Sequence, residues 1–385
     1  MNTYDIVIIG AGAAGLVAAS VATARGKSVA VLEMGQSPAR KVMVSGGGNC
    51  NITNDAVAYD RYFGENTKFV RSAISALKPT DVLDWAQKHN IKLYEKTRGR
   101  YFCTHGAKQV VDALIADADK AKFCFNTTVT DIIKTADKFH IHTTNNKFIA
   151  HSVIIATGGI SFDSLGVSDI GYKIAKKFGH KIIPVRPALC ALITNAIPHD
   201  LAGISMPVQI KIGADKICDD LLFTHNGIGG PAAYRASVRN LHDGIYLDCL
   251  PNTDILNIFI QTKKTNGKKS VANVLGEHMP NKVARWFAAN INKNIADIKD
   301  SELKKLAENI KNFWIPAHNI KTANMAHAEV VRGGISTDEI SSKTMESKLC
   351  TKLFFAGEVF DIAGDLGGFN LHWAWASGYT AGKNA

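Results

Sequence analysis

Apolar and polar positions are most regularly ordered in the first thirty-odd residues. Tyr4 to Ile9 is a β-rich apolar run, Ala13 to Ala24 an alanine-rich stretch of helical character, and Ser28 to Leu32 a second β-rich run. Strand, helix and strand at this spacing predict a βαβ unit. Further strand patterns fall at Thr128 to Ile133, Phe139 to Thr144, Phe148 to Ala156 and, at the far end, Leu353 to Ala356. One sheet therefore draws on both chain ends, and the middle reads as an insertion. From about Ala191 the pattern changes to short strands and turns (Val208 to Ile212, Gly244 to Cys249), then to a lysine-rich stretch of helical spacing from Asp254 to Asn312. The expected organisation is an α/β Rossmann-type domain of residues 1–190 and 320–385, a β-rich insertion of 191–253 with 311–319, and a helical insertion of 254–310.

Gly10-Ala11-Gly12-Ala13-Ala14-Gly15 lies between the first strand and the first helix. In that context the glycines differ in what they do. Gly10 makes the tight turn, Gly12 lets backbone approach a pyrophosphate, and Gly15 allows close packing of helix on strand. Unpaired N–H groups and the dipole at the helix start favour an anion. Glu33, at the end of the second strand, is placed to accept hydrogen bonds from both hydroxyls of an adenosine ribose and to repel a 2′-phosphate. FAD or NAD is expected in preference to NADP. Gly26-Lys27-Ser28 imitates the tail of a P-loop, but Val21 stands where the loop needs glycine.

A second small-residue cluster, Ser45-Gly46-Gly47-Gly48-Asn49-Cys50-Asn51, follows where a nicotinamide dehydrogenase would continue its sheet. FAD is longer and needs such a loop at its flavin end. Ala156-Thr157-Gly158-Gly159 closes an apolar strand, and Phe355-Ala356-Gly357-Glu358 followed by Gly364 to Asn370 and a helix from Leu371 to Ala381 repeats the strand, glycine turn and helix at the other terminus. The start of that last helix is expected at the flavin N1 and C2 carbonyl, where its dipole stabilises the anionic reduced ring. Noncovalent FAD is the expected cofactor. Its expected contacts are Gly10, Gly12, Ala13, Ala14, Gly15, Glu33, Met34, Lys41, Ser45, Gly46, Gly47, Asn49, Cys50, Asn51, Val129, Ala156, Thr157, Gly158, Gly357, Glu358, Gly368, Phe369, Asn370 and Leu371.

Composition narrows the classes further. At 385 residues the chain exceeds a single core and can fold without staples. Seven scattered cysteines, never spaced C-x-x-C, argue against a disulfide scaffold, a zinc knuckle or a dithiol redox centre. The uncharged run from Ile6 to Ala24 is broken by glycine and preceded by no Lys or Arg, so neither a membrane span nor a secretory signal is expected, and the protein reads as cytoplasmic. Of the net charge of +11, Gln261 to Lys311 carries eleven Lys/Arg against five Asp/Glu. Without interleaved aromatics this reads as a solvated helical face, and a nucleic-acid partner is not expected.

These motifs resemble the bacterial aminoacetone-oxidase-like or BaiN-like FAD-dependent oxidoreductases nearly end to end. The carrying segments are Gly10 to Gly15, Lys41 to Asn54, Ala156 to Gly159, Leu222 to His225 with Gly227 to Ala232, Gly333 to Ser336, and Thr344 to Lys348 through Gly357-Glu358-Val359 to Gly367 to Leu371. The resemblance implies a flavoprotein of the two-dinucleotide-binding-domain class, with β-barrel-like and helical insertions and flavin redox chemistry. Asn49 stands where that family often has Arg, Cys103 where Pro is common and Val331 where Thr is frequent, which leaves open whether an anion is gripped at position 49.

The expected reaction is hydride transfer between flavin and a small organic substrate, either an amine or NAD(P)H acting as reductant. No second G-x-G-x-x-G unit follows a strand, so NAD(P)H would visit the flavin only transiently. The catalytic candidates are Cys50, His225 and Arg100. Cys50 has Asp55 where a disulfide reductase carries its second cysteine, and reads as a small buried residue. His225 either faces the flavin or packs a turn; Arg100 either clamps a carboxylate or makes a surface ion pair; His372, Trp373 and Trp375 either line the flavin or pack. The competing class is a noncatalytic flavin-binding sensor that docks through its basic insertion.

Overall fold

The computed structural model describes residues 2–96 and 99–385, which divide into two compact units, Met1–Pro187 with Ala328–Ala385, and Ala188–His327. In the first, parallel strands run in the order Lys122–Cys124, Val29–Leu32, Asn2–Ile9 and Lys147–Ile155, and Leu353–Phe355 adds on in parallel to the last of these. Lys138–Thr143 and Val129–Thr135 extend the sheet antiparallel from the amino-terminal half of Lys147–Ile155. Residues 6–9, 29–32 and 152–155 of the central strands are buried throughout, as their apolar runs require.

The opening helix Ala13–Ala24 and the closing helix Phe369–Asn384 pack closely, because each offers small residues at four-residue spacing. A Cβ on Gly378 would lie 2.4 Å from the Ala14 carbonyl oxygen, and one on Gly382 2.5 Å from that of Ala18. Arg25 Nη1 then donates to the carbonyls of Gly382 at 2.7 Å and Ala385 at 3.1 Å. The closing helix starts at Phe369, earlier than its expected Leu371, since Gly368 with φ of 94° turns the chain into it.

The second unit holds an antiparallel sheet in the order Phe313–Ile315, Ile245–Asp248, Ser205–Ile212, Asp215–Thr224, Gly227–Gly229, Leu192–Ile193 and Lys321–Thr322. The sequence pattern separates a helical insertion from a β-rich one. In the structure, Phe259, Val274 and Leu303 of the helices share one apolar core with Ile210 and Phe223 of the strands. The periodicity of a helix shows that it has an apolar face, not which partner covers it. No helix among the described residues is long and apolar enough to cross a membrane.

Candidate functional site

At the first glycine turn, Gly10 adopts φ of 100°, and a Cβ there would sit 2.4 Å from the Ala156 carbonyl oxygen. A Cβ on Gly15 would lie 1.9 Å from the Gly10 oxygen, so the helix can start only where it does with glycine at 15. Gly12 differs: its φ of −77° suits any residue, and a Cβ there meets no protein atom within 4 Å. The turn is thus closed on its protein side and open on the other. No side chain caps the helix start and no acid sits in its first turn, leaving the N–H groups of Ala13, Ala14 and Gly15 for an anion.

Glu33 lies beside this turn, where Oε2 accepts from Ala11 N at 2.9 Å and Oε1 from Gly35 N at 2.8 Å, with Arg40 Nη2 at 3.4 Å. These bonds fix the carboxylate at the end of its strand. Met34 is exposed next to it and Val129 is buried.

Gly46, Gly47 and Gly48 all have positive φ, and added Cβ atoms at Gly47 and Gly48 meet nothing within 4 Å. Asn49, half-buried, accepts from Cys103 N at 2.8 Å through its carbonyl. Asn51, oriented to satisfy both ends of its amide, accepts from Gly368 N at 3.1 Å and donates to the Thr53 carbonyl at 3.3 Å. Asn54 Nδ2 donates to the Gly367 carbonyl at 2.8 Å, and Asn370 closes the same loop on Gly364. Two segments over 300 positions apart are thereby held together at the start of the closing helix. That start has no side-chain cap, so Phe369, Asn370 and Leu371 present N–H groups as Ala13 to Gly15 do.

Between these turns, Lys41 Nζ donates to Ser161 Oγ at 2.8 Å, Glu358 Oε2 at 3.1 Å and the Gly159 carbonyl at 3.2 Å. Glu358 Oε1 accepts from Val331 N at 2.9 Å. Lys41 is thus a strut between loops. Gly158 has φ of 73° and, like Gly12, open space where a Cβ would be; Thr157 Oγ1 is buried with no hydrogen-bond partner. Gly357 receives the Trp373 indole N–H at 3.1 Å and donates to Ser377 Oγ at 2.9 Å.

The catalytic candidates separate clearly. Arg100 packs at this site: a Cβ on Gly367 would lie 2.6 Å from its Nε. Arg100 also opposes the rise in the Glu329 carboxyl's pKa, which loss of water around that group causes. His225 belongs to the second unit, exposed in the turn after Asp215–Thr224, its carbonyl accepting from His199 Nδ1. His372, Trp373 and Trp375 are buried, and the Trp375 indole donates to the Ile52 carbonyl at 2.9 Å, so all three pack.

Cys50, fully buried, hydrogen-bonds not to a sequence neighbour but to Cys103. That contact, then burial, raises its thiol well above the usual range, and it stays protonated. Pairing of Asn51 with Phe102 brings the two cysteines together, a juxtaposition no C-x-n-C spacing reveals. A disulfide reagent is expected to label exposed Cys218 first and to reach Cys50, Cys103, Cys190 and Cys249 only on unfolding. Rapid labelling of Cys50 in the native protein, mapped by peptide mass, would contradict this placement. No cluster of His, Cys, Asp or Glu among the described residues is suited to a metal.

Residues 4–384 match the HI0933-like protein Rossmann domain.
The chain belongs to that family.
At this level the resemblance read from the motifs holds, and the fold class is Rossmann-type α/β of the FAD-binding kind. Within reach of this HI0933-like chain are two proteins named ribosomal RNA dihydrouridine synthase. The one from Haemophilus influenzae is 36% identical over 394 residues, spanning 98% of each chain. The one from Escherichia coli strain K12 is 32% identical over 401 residues, spanning 100% of this chain and 98% of the relative. A 3-dehydro-bile acid delta(4,6)-reductase from Clostridium scindens is 28% identical over 99% of this chain and 98% of its own. The solved Mycobacterium smegmatis Sdh1 complex in the apo form shares the fold, with TM-score 0.50 and 17% identity over 99% of this chain and 67% of that one.

Proposed function

We propose that this HI0933-like protein is an FAD-dependent reductase of carbon–carbon double bonds conjugated to a carbonyl, and that its substrate is the uracil base within ribosomal RNA. The observation that carries the reading is the end-to-end similarity to two relatives named for making dihydrouridine in ribosomal RNA. The third relative's name describes the same chemistry on another scaffold: its double bonds are conjugated to the 3-oxo group, as uracil C5=C6 is conjugated to the C4 carbonyl.

The residues fit the cofactor. The open space at Gly12 and Gly158 suits a pyrophosphate and a sugar chain passing over backbone, and Glu33 suits the adenosine ribose. FAD, when bound there, supplies the hydride. The uncapped start of the closing helix would hold the electron-rich pyrimidine edge of the flavin through N–H groups of Phe369 to Leu371. Arg100, beside Gly367, is placed to polarise a substrate carbonyl. Glu329, an exposed residue whose carboxyl pKa is raised by loss of water and opposed by the Arg100 charge, is the carboxyl assigned to deliver a proton to the carbon beside that carbonyl. NAD(P)H serves as the transient reductant, in keeping with a chain that carries no second dinucleotide fingerprint.

Anaerobic mixing of the flavin-loaded protein with NADH, NADPH or a panel of amines, followed by ribosomal RNA lacking dihydrouridine, tests this reading. The expected result is flavin bleaching by a nicotinamide and recolouring by RNA, with uridine gaining two hydrogens by mass. Bleaching by amines alone would restore the amine-oxidase reading. Flavin that no donor reduces would favour the sensor.

A further inference from the structure

The outward face of the second unit's sheet carries four side chains that no role above uses. Trp314, Tyr246, Lys211 and Lys216 occupy directly paired positions on four neighbouring strands. Ile315, Ile245, Leu247, Ile210, Ile212 and Ile217 flank them along those strands and are buried, so strand alternation turns the row outward. Trp314 is 53% exposed and Tyr246 45% exposed, with ring centroids 6.3 Å apart and planes inclined by only 22°. Lys211 Nζ is steadied by Asn312 Oδ1 at 2.9 Å, and Lys216 extends into solvent.

The surrounding charges leave the row positive. In the next row Gln209 Nε2 donates to Cys218 Sγ at 3.2 Å, both neutral, and Asp248 is held by Lys311 at 2.9 Å. Asp215 is tied to Arg239 at 2.9 Å; Asp220, the exposed acid of this face, lies two rows beyond Lys216 along its strand. Two adjacent aromatic faces left in water beside two lysines match what single-stranded nucleic acid offers: flat bases and regularly spaced phosphates.

We propose that this sheet face binds single-stranded RNA, with bases stacked on Trp314 and Tyr246 and phosphates neutralised by Lys211 and Lys216. It rests on the reading of the substrate as RNA and adds where the strand is held. Charge complementarity selects this occupant: a second copy of a chain with net charge +11 would bring lysine against lysine.

Fluorescence anisotropy of a labelled oligouridylate, titrated with the full-length flavin-loaded protein, tests the surface. The W314A/Y246A variant is expected to bind about ten-fold or more weakly, as lost base stacking implies. The K211A/K216A variant is expected to flatten the slope of log affinity against log salt by about 1.4, two phosphate contacts on a single strand. W314F/Y246F, which keeps both rings, should restore binding and exclude a folding defect. Wild-type binding that both alanine variants retain overturns the surface while leaving the RNA reading intact. Absence of any oligonucleotide binding by the wild type overturns both. A dimer that W314A/Y246A turns into a monomer, with RNA affinity unchanged, assigns the face to a second copy and overturns the proposal.

Discussion

Gly12→Val should give a folded but colourless protein. Valine suits the extended backbone at Gly12, and its Cβ meets no protein atom within 4 Å, so the fold loses only helix-capping preference, about 1 kcal/mol. The cofactor's pyrophosphate would meet the two added methyl groups at the point of closest approach to backbone. Flavin content after gel filtration, from the ratio of visible to ultraviolet absorbance, should fall close to zero, with far-ultraviolet circular dichroism unchanged. A yellow Gly12→Val protein would remove the proposed seat of the cofactor. Gly15→Val is the contrasting case: a Cβ 1.9 Å from the Gly10 oxygen breaks the turn itself, and the soluble yield should collapse.

The second large effect concerns acid stability. His372 is fully buried, with Nε2 facing the Leu77 carbonyl at 3.0 Å and Nδ1 facing Thr53 Oγ1 at 2.9 Å. A carbonyl only accepts, so Nε2 carries the proton and Nδ1 accepts from the threonine. Burial lowers the imidazole's pKa to about 4, against the opposing pull of the Leu77 carbonyl and Asp81. Between pH 6.5 and 4 the unfolded chain binds a proton at this site that the folded chain refuses. The stabilising contribution is therefore complete above about pH 6.5 and is lost as pH falls towards 4, amounting to about 3 kcal/mol. Urea unfolding at pH 7 and pH 4.5 should show this loss in the wild type and a shallower dependence in His372→Gln. Equal dependence in both proteins would sink the assignment.

The βαβ start was legible because local pattern and glycine chemistry agree there. Strand runs and turn residues specify each other over a few positions, and Gly10 and Gly15 each answer a steric demand of one short turn, while Gly12 leaves its outer side open. That Leu353–Phe355 joins a sheet begun at the other chain end was legible from apolar runs, since a strand buried on both faces has few alternatives; its pairing with Lys147–Ile155 was not.

What escaped were partnerships set by register between distant segments. Cys103 meets Cys50 only because the Arg100–Cys103 strand pairs with Asn51–Asn54. Tyr246 and Trp314, on two other strands, are brought beside Lys211 only by sheet pairing, outside the lysine-rich segment altogether. His372 gave no sign of its partners, Thr53 and Leu77, because one helical histidine looks like another until its neighbours are known. Arg100 was legible as a candidate but not its reason, the Gly367 turn pressed against it.

Because Leu353–Phe355 and the closing helix complete the parallel sheet and cover the opening helix, the first unit cannot finish folding until its final residues have been synthesised. Residues 188–327, with a core of their own, emerge whole before that. On the ribosome the inner segment can settle first, while the amino-terminal βαβ unit waits, its apolar strand edge exposed. Truncations that spare every glycine of the first turn but remove the last strand and helix should therefore aggregate rather than accumulate as a smaller flavoprotein.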